Sequence, residues 1–376
     1  MEDESGRKVS RAVRRATALW CSDDLGTLDE KELVQEYRTS ILRKIVFILV
    51  CVAGMVVAAG FSLGMGTYPI GFLECYEIVW NHLIGNIQNQ MLDYFVVDGR
   101  LPRIVLAILT GIALAVCGCV MQSVMKNPLA DPYTTGISSG AGFGATLAIT
   151  ADITILGGTY AVVGNAFIFA LIPMGVIIAV SKLNNGSPTT MIMAGIAIMY
   201  IFNAVSTVFK LVADPDNLSA LYKWQVGTLG AAGWNDIMLI LMVVGAGTVL
   251  LQYFSRKLNI LSTGDDSAKA MGINVDQMRR MLLLAITLVV ATVVSFTGLI
   301  GFVGLVAPHI ARIFVGSDNR CLSPASGVFG AALLVVADVI GRTIISPATL
   351  EVGVITSFIG GPLFLYLVIR NKKASW

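Results

Sequence analysis

SRKLNILSTGDDSAKAMGINVDQMRR, residues Ser255–Arg280, is a strongly polar stretch set between two long apolar runs. It carries the basic residues Arg256, Lys257, Lys269, Arg279 and Arg280. It also carries the signature of a short helix: Thr263 or Asp265 can cap it, Asp265 and Asp266 suit its first turn, and Gly272 can end it. Apolar runs on both sides identify it as a loop between membrane spans. Its basic character predicts the cytoplasmic face. A capped helix there is a handle that a soluble partner could grip.

The rest of the chain agrees with that setting. Hydrophobic residues make up 56% of it and charged residues only 13%, against about 25% charged in soluble domains. Mean hydropathy is +0.78. The expected fold class is an all-α polytopic membrane protein. The six cysteines are scattered without metal-ligand spacing and read as small apolar residues. Two histidines are too few for a His-built metal or haem site, so no metal site is expected in this chain.

Residues 1–44 read as a cytoplasmic tail. The basic cluster Arg7, Lys8, Arg11, Arg14 and Arg15 is followed by acidic residues rather than an apolar core, which excludes a signal peptide. Thr27 and Glu30 can form a capping box. Leu28, Leu33, Val34, Tyr37 and Ile41 then recur at helical spacing, as in an amphipathic helix lying on a membrane surface. Ten candidate spans follow within 45–370: Ile45–Leu63, Ile104–Met125, Tyr133–Thr150, Thr159–Val180, Thr190–Val212, Ile237–Phe254, Met281–Thr297, Phe302–Val315, Ser323–Ile345 and Val352–Ile369. With the N-terminus inside, the inner loops collect Lys126, Lys182, Lys269, Arg279, Arg312 and Arg320, and the outer loops collect mostly Asp and Glu. Both termini, including the tail 371–376, are therefore expected in the cytoplasm. A weak echo places glycine and proline ten residues apart twice, at Gly118/Pro128 and Gly298/Pro308; repeats of this kind occur in transporters.

No G-x-x-x-x-G-K-[ST] loop is present, and no Ser-His-Asp or Cys-His set has a plausible context. The chain is not expected to be an enzyme, and no catalytic residue is assigned. Few polar residues fall inside spans; Asn203, Lys210, Asp338 and Arg342 stand out. Asp338 and Arg342 lie four residues apart, close enough to pair on one helix. Asn127-Pro-Leu-Ala-Asp-Pro132 is a tight loop fixed by proline. The glycine-rich run Gly136–Gly144 after it either packs helices closely or lines a path.

These elements together resemble the permease subunits of importers for iron chelates and vitamin B12, the FecCD family. The resemblance is carried by Arg100-Leu-Pro-Arg103, Gly111…Gly118…Met121-Gln122, Asn127-Pro-Leu-Ala-Asp-Pro132 and Ser138-Ser-Gly-Ala141. It continues through Met193-Ala-Gly-Ile196, Trp224-x-x-Gly-Thr-Leu229 with Trp234, and Gly264…Ala268…Met271-Gly272. Gly298–Arg312, Ala337-Asp338…Arg342, Val352-Gly-Val354 and Ile359-Gly-Gly-Pro-Leu-Phe364 complete it. The series spans roughly residues 45–370 in order. One departure lies near Thr349 and Glu351, where the family usually has Glu and then Pro.

The resemblance implies a vitamin B12 permease-like bundle of ten transmembrane helices, of the type II ABC importer kind, in a homodimer or close heterodimer. Two cytoplasmic ATPase subunits would dock below, holding the ATP and Mg that this chain does not bind. An extracytoplasmic binding protein would deliver cargo above. Asp265, Asp266, Ala268, Met271 and Gly272 match the ATPase-coupling helix. Arg100, Arg103 and Arg342 match arginines that meet acidic residues on the binding protein. Asn127, Pro128, Leu129, Ser187, Thr189 and Thr190 match the inner gate, and His309 a structural position at a helix end. Cargo would be a large metal chelate, iron–siderophore first, haem next and corrinoid third. The other partner is membrane lipid; nucleic acid is not expected. A gradient-driven secondary carrier would need more intramembrane acids than the chain has, and a permease-derived sensor would place its function in the N-terminal extension.

Overall fold

A computed structural model describes residues 30–65, 68–183, 188–230, 232–345 and 349–370. The N-terminal basic cluster, the Thr27 cap, Ser187 and the tail 371–376 lie outside the described residues. The described chain is helical. Its elements are α1 (Glu30–Gly64), α2 (Phe72–Leu83), α3 (Leu101–Met125), α4 (Ile137–Ala151), α5 (Ala161–Leu183), α6 (Pro188–Val212) and α7 (Pro215–Val226). They continue with α8 (Trp234–Tyr253), α9 (Ser255–Thr263), α10 (Asp265–Ala270), α11 (Val275–Thr297), α12 (Val303–Val315), α13 (Asn319–Thr343) and α14 (Val352–Arg370). Contacts divide the chain into two units, Met1–Val46 and Phe47–Trp376, and every expected site residue belongs to the second.

An apolar helix stands at each of the ten candidate positions. Among the described residues seven helices are long and apolar enough to cross a membrane, namely α1, α3, α5, α6, α8, α11 and α13. The helices α4 and α12 are apolar but shorter, at 15 and 13 residues, and α14 is an apolar helix of 19 residues. Gly136 precedes α4 and Gly316 ends α12, both at positive φ values that favour glycine.

The core is built on α3. Of its most apolar window 83% is buried, against 11% for α6. α13 and α12 both lie against α3. The contact is backbone to backbone: a Cβ on Gly111 would strike the Gly330 carbonyl, and one on Gly118 the Gly304 carbonyl. Only glycine allows this approach. The same logic settles the run 136–144, where Gly140 and Gly144 abut carbonyls of Phe169 and Asn165 on α5. There Gly140 and Gly144 pack α4 against α5. The Asn165 amide, fully buried, accepts from Ile155 N at 2.8 Å and donates to Ile153 O at 2.6 Å, which closes the turn between α4 and α5.

Three readings are corrected. The polar stretch Ser255–Arg280 holds two short helices, not one, with Gly264 at φ 143° between them. Thr263 does not cap the second: its hydroxyl donates back to Ile260 O at 2.8 Å inside α9. Asp265 does not cap either, because it is the first residue of α10 and its carboxylate faces two cations. The Gly–Pro echo also fails to define equivalent positions, since Pro128 lies in a loop and Pro308 inside α12.

Candidate functional site

α3 is 25 residues long, about 37 Å at 1.5 Å per residue. Two ionic clusters sit at its opposite ends.

At the N-terminal end, Asp338 on α13 is buried, accepts a hydrogen bond from Arg103 and forms an ion pair with Arg342. Arg103 Nε donates to its Oδ1 at 2.8 Å, and Arg342 Nε lies 3.1 Å from its Oδ2. Thus the i, i+4 pair forms, with Arg103 as a third member that sequence spacing did not disclose. Arg342 also donates to Ser62 O at 3.2 Å, and Arg100 to Tyr68 O at 2.6 Å and to Leu63 O. The structure therefore brings together all three arginines expected to meet a binding protein. Three guanidiniums face one carboxylate, and among these four groups the balance is +3 − 1 = +2. That surplus is a field for an acidic partner. Arg103 and Arg342 are mostly buried and held by Asp338, so Arg100 and the summed charge offer more than direct contacts do.

At the C-terminal end, α10 stands beside the loop after α3. Its C-terminus is a Schellman turn: Gly272, at φ 79°, donates to Lys269 O at 2.9 Å, and Ile273 N donates to Ala268 O at 3.0 Å. The five residues expected to couple to an ATPase divide by direction. Ala268 is fully buried, and Asp265 turns inward; Asp266, Met271 and Gly272 are exposed. Asp265 Oδ1 lies 2.6 Å from Lys126 Nζ and 3.0 Å from Arg279 Nη2. Partial burial pushes the Asp265 carboxyl up, but hydrogen bonds and charge from Lys126 and Arg279 outweigh it and hold the group below its ordinary value. Arg279 is 1% exposed and also donates from Nε to Val124 O at 3.3 Å.

The expected gate loop is tightly made. Lys126 ends α3 at φ 49°, ψ 36°. Asn127 Oδ1 accepts from Leu129 N at 2.9 Å, an Asx turn. His309 Nε2 lies 3.1 Å from Pro128 O, and since a carbonyl only accepts, that nitrogen carries the proton. His309 lies in the middle of α12 rather than at a helix end. Burial pushes the Asp131 carboxyl up to about 6, partly offset by the Tyr133 N–H. At the start of α6, Thr189 is exposed and Thr190 half-buried. Gly195 on the same helix packs against the backbone of Thr135, so α6 and the turn after the loop are neighbours. Among the described residues no three His, Cys, Asp or Glu side chains converge as a metal site would.

Sequence reasoning passed over Lys126, Arg279, Asn259 and Asp318. Asn259 Nδ2 donates to Asp318 Oδ1 at 2.7 Å and its Oδ1 accepts from Asn319 N at 2.8 Å, tying α9 to the start of α13. Arg320 and this amide hold the Asp318 carboxyl well below the usual range. Arg279 had a legible signal: it falls on the stripe Val275, Met278, Leu282, Leu283 and Ile286, a lone charge on an apolar face.

A bundle of long apolar helices with glycine seams, a polar helical loop at one end and an arginine cluster at the other defines a multi-span membrane permease. The chain belongs to the FecCD transport family, whose model matches residues 54–370. It is 35% identical over 314 residues to the hemin transport system permease protein of Yersinia pestis, covering 83% of this chain and 93% of that protein. It is 40% identical over 275 residues to the cobalamin import system permease protein of Halobacterium salinarum, covering 73% of each. Among solved structures it is similar to an inward-facing metal-chelate type ABC transporter, with TM-score 0.76 and 26% identity over 86% of this chain and 98% of that one.

Proposed function

We propose that this chain is the membrane subunit of an ATP-driven importer of a large metal chelate, crossing the membrane ten times with both termini in the cytoplasm. It works as a homodimer or close heterodimer with two ATPase subunits, which hold ATP and Mg, and with an extracytoplasmic binding protein. α10 fits the ATPase through Asp266, Met271 and the turn at Gly272, while Asp265 and Ala268 hold it to the bundle. Arg100, Arg103 and Arg342 orient an acidic binding protein. Rim charges of this kind set association rate and register. Asn127–Leu129 and the start of α6, with Ser187, Thr189 and Thr190, form the inner gate. Residues 1–44 form a cytoplasmic extension and 45–370 the permease domain.

The observation that carries this reading is the position of α10: an exposed polar helix, ionically joined to the loop of the expected gate. The hemin and cobalamin permeases this chain resembles, and the metal-chelate type ABC transporter, support a metal chelate as cargo. Within that class the frequency of cargoes in the family puts iron–siderophore first, and the haem and cobalamin relatives add weight to the tetrapyrrole arms. The test is uptake into proteoliposomes holding the permease, its ATPase and its binding protein, with ferric siderophore, haem and corrinoid as three arms. Uptake that needs ATP and the binding protein is expected for one of them. Uphill uptake by the permease alone would overturn the proposal.

A further inference from the structure

We infer that Lys126, Asp265 and Arg279 form the joint through which α10 moves the Asn127–Leu129 loop. The inference rests on the reading of α10 as the ATPase-facing helix.

Three elements meet at one carboxylate. Asp265 opens α10 and takes Lys126 on Oδ1 at 2.6 Å, with Arg279 Nη2 at 3.0 and 3.2 Å from its two oxygens. Lys126 is the last residue before the loop and the cap of α3. Arg279 lies in the first turns of α11 and bonds Val124 O, a carbonyl in the last turn of α3. A cation is favoured there by the helix dipole. One side chain on α10 thus holds the end of α3 twice, through Lys126 directly and through Arg279.

The two sides of this joint differ in stiffness. The loop beyond Lys126 is held as one piece by the Asn127 turn and by the His309 bond to Pro128 O. α10 is bounded by Gly264 at φ 143° and Gly272 at φ 79°, conformations that other residues rarely adopt. A six-residue helix between two glycine turns can tilt, and its side-chain anchorage is Asp265 and the buried Ala268. A displacement of α10 therefore reaches the loop at Lys126. Arg279, buried in the bundle, is the fixed point against which it acts. Charge-assisted bonds of this kind carry direction as well as energy. In this joint the three residues act as positioning residues, each held by contacts within the chain.

The test uses the full importer in proteoliposomes and reads cargo moved per ATP hydrolysed. Lys126→Met keeps chain length and removes the charge. Its expected signature is unchanged assembly and stimulated ATPase within about twofold of wild type, with transport per ATP lower by about tenfold, inside the usual 5–150-fold range of coupling between sites. Lys126→Arg is expected to restore the ratio. Amide hydrogen exchange gives a second readout: ATP binding should change exchange at Leu129 and Ala130 in wild type and leave it unchanged in Lys126→Met. Should Lys126→Met fail to assemble, Lys126→Gln is read by the same two measures. A wild-type ratio in the uncharged variant, or equal losses in Lys126→Met and Lys126→Arg, would overturn the joint. A wild-type complex with no ATP-dependent uptake would instead overturn the importer reading beneath it.

Discussion

At the scale of single residues the two ionic clusters respond to different perturbations. Asp338 is 2% exposed and paired with two arginines. Asp338→Asn leaves both guanidiniums without a counter-charge, and breaking such a buried pair costs about 3–5 kcal/mol. The expected outcome is a lower thermal unfolding midpoint in detergent. Arg103→Gln added to Asp338→Asn should recover part of the loss, because one unpaired charge is removed with it. Asp265 answers to pH. Its folded-state pKa lies below the ordinary carboxylate value, so its stabilisation is present above that value and is lost as pH falls through the depressed one. Hydrogen exchange across residues 264–273 should rise on acidification below about pH 4 in wild type, with about 3.9 the unperturbed Asp value. Asp265→Asn should lack that step; an identical rise in the variant would show that another group is responsible.

At the scale of elements, the turn at Gly272 and the glycine seams of α3 are the sensitive points. Gly272→Pro asks a ring locked near about −65° in φ to occupy φ 79°. It should abolish transport and ATPase stimulation while the bundle still folds, which size-exclusion chromatography would check. Transport left intact would remove the coupling role of α10. Gly118→Val forces α3 away from α12, where the Gly304 carbonyl already touches. Overpacking costs about 1–3 kcal/mol, and a lower yield of folded protein is the expected result. Much of this level was legible in the sequence. The ten apolar runs were plain because length and apolarity alone define them, and Gly272 marked the end of a helix because few other residues tolerate such a φ value. α2 and α7 were not foreseen: each is 12 residues long, too short to read as a span and too mixed for a firm period. The split of α9 from α10 was missed because Thr263 looks like a cap in sequence, and only its bond to Ile260 O reveals that it belongs to the preceding helix. Lys126 and Asp265 are 139 positions apart (265 − 126), and no local pattern links them.

At the scale of the whole molecule the arginine cluster predicts how a second protein would bind. Charge reversal at Arg100 should weaken docking of the proposed binding protein and flatten or invert its dependence on salt, since salt screens the attraction that the wild-type arginine supplies. Surface plasmon resonance at two ionic strengths would read both effects, and docking unchanged in the variant would remove Arg100 from that role. Deleting residues 1–40 tests the extension: uptake equal to wild type would exclude a regulatory tail.

The two knots of charge lie at either extremity of α3, and glycine seams clamp the helix to its neighbours in between. A tie-rod fixed at both anchorages and gripped along its length neither slips nor bends easily. On the proposed function, a thrust delivered at Lys126 would be carried along one strut toward Arg103, joining the ATPase-facing end to the end where a binding protein would dock.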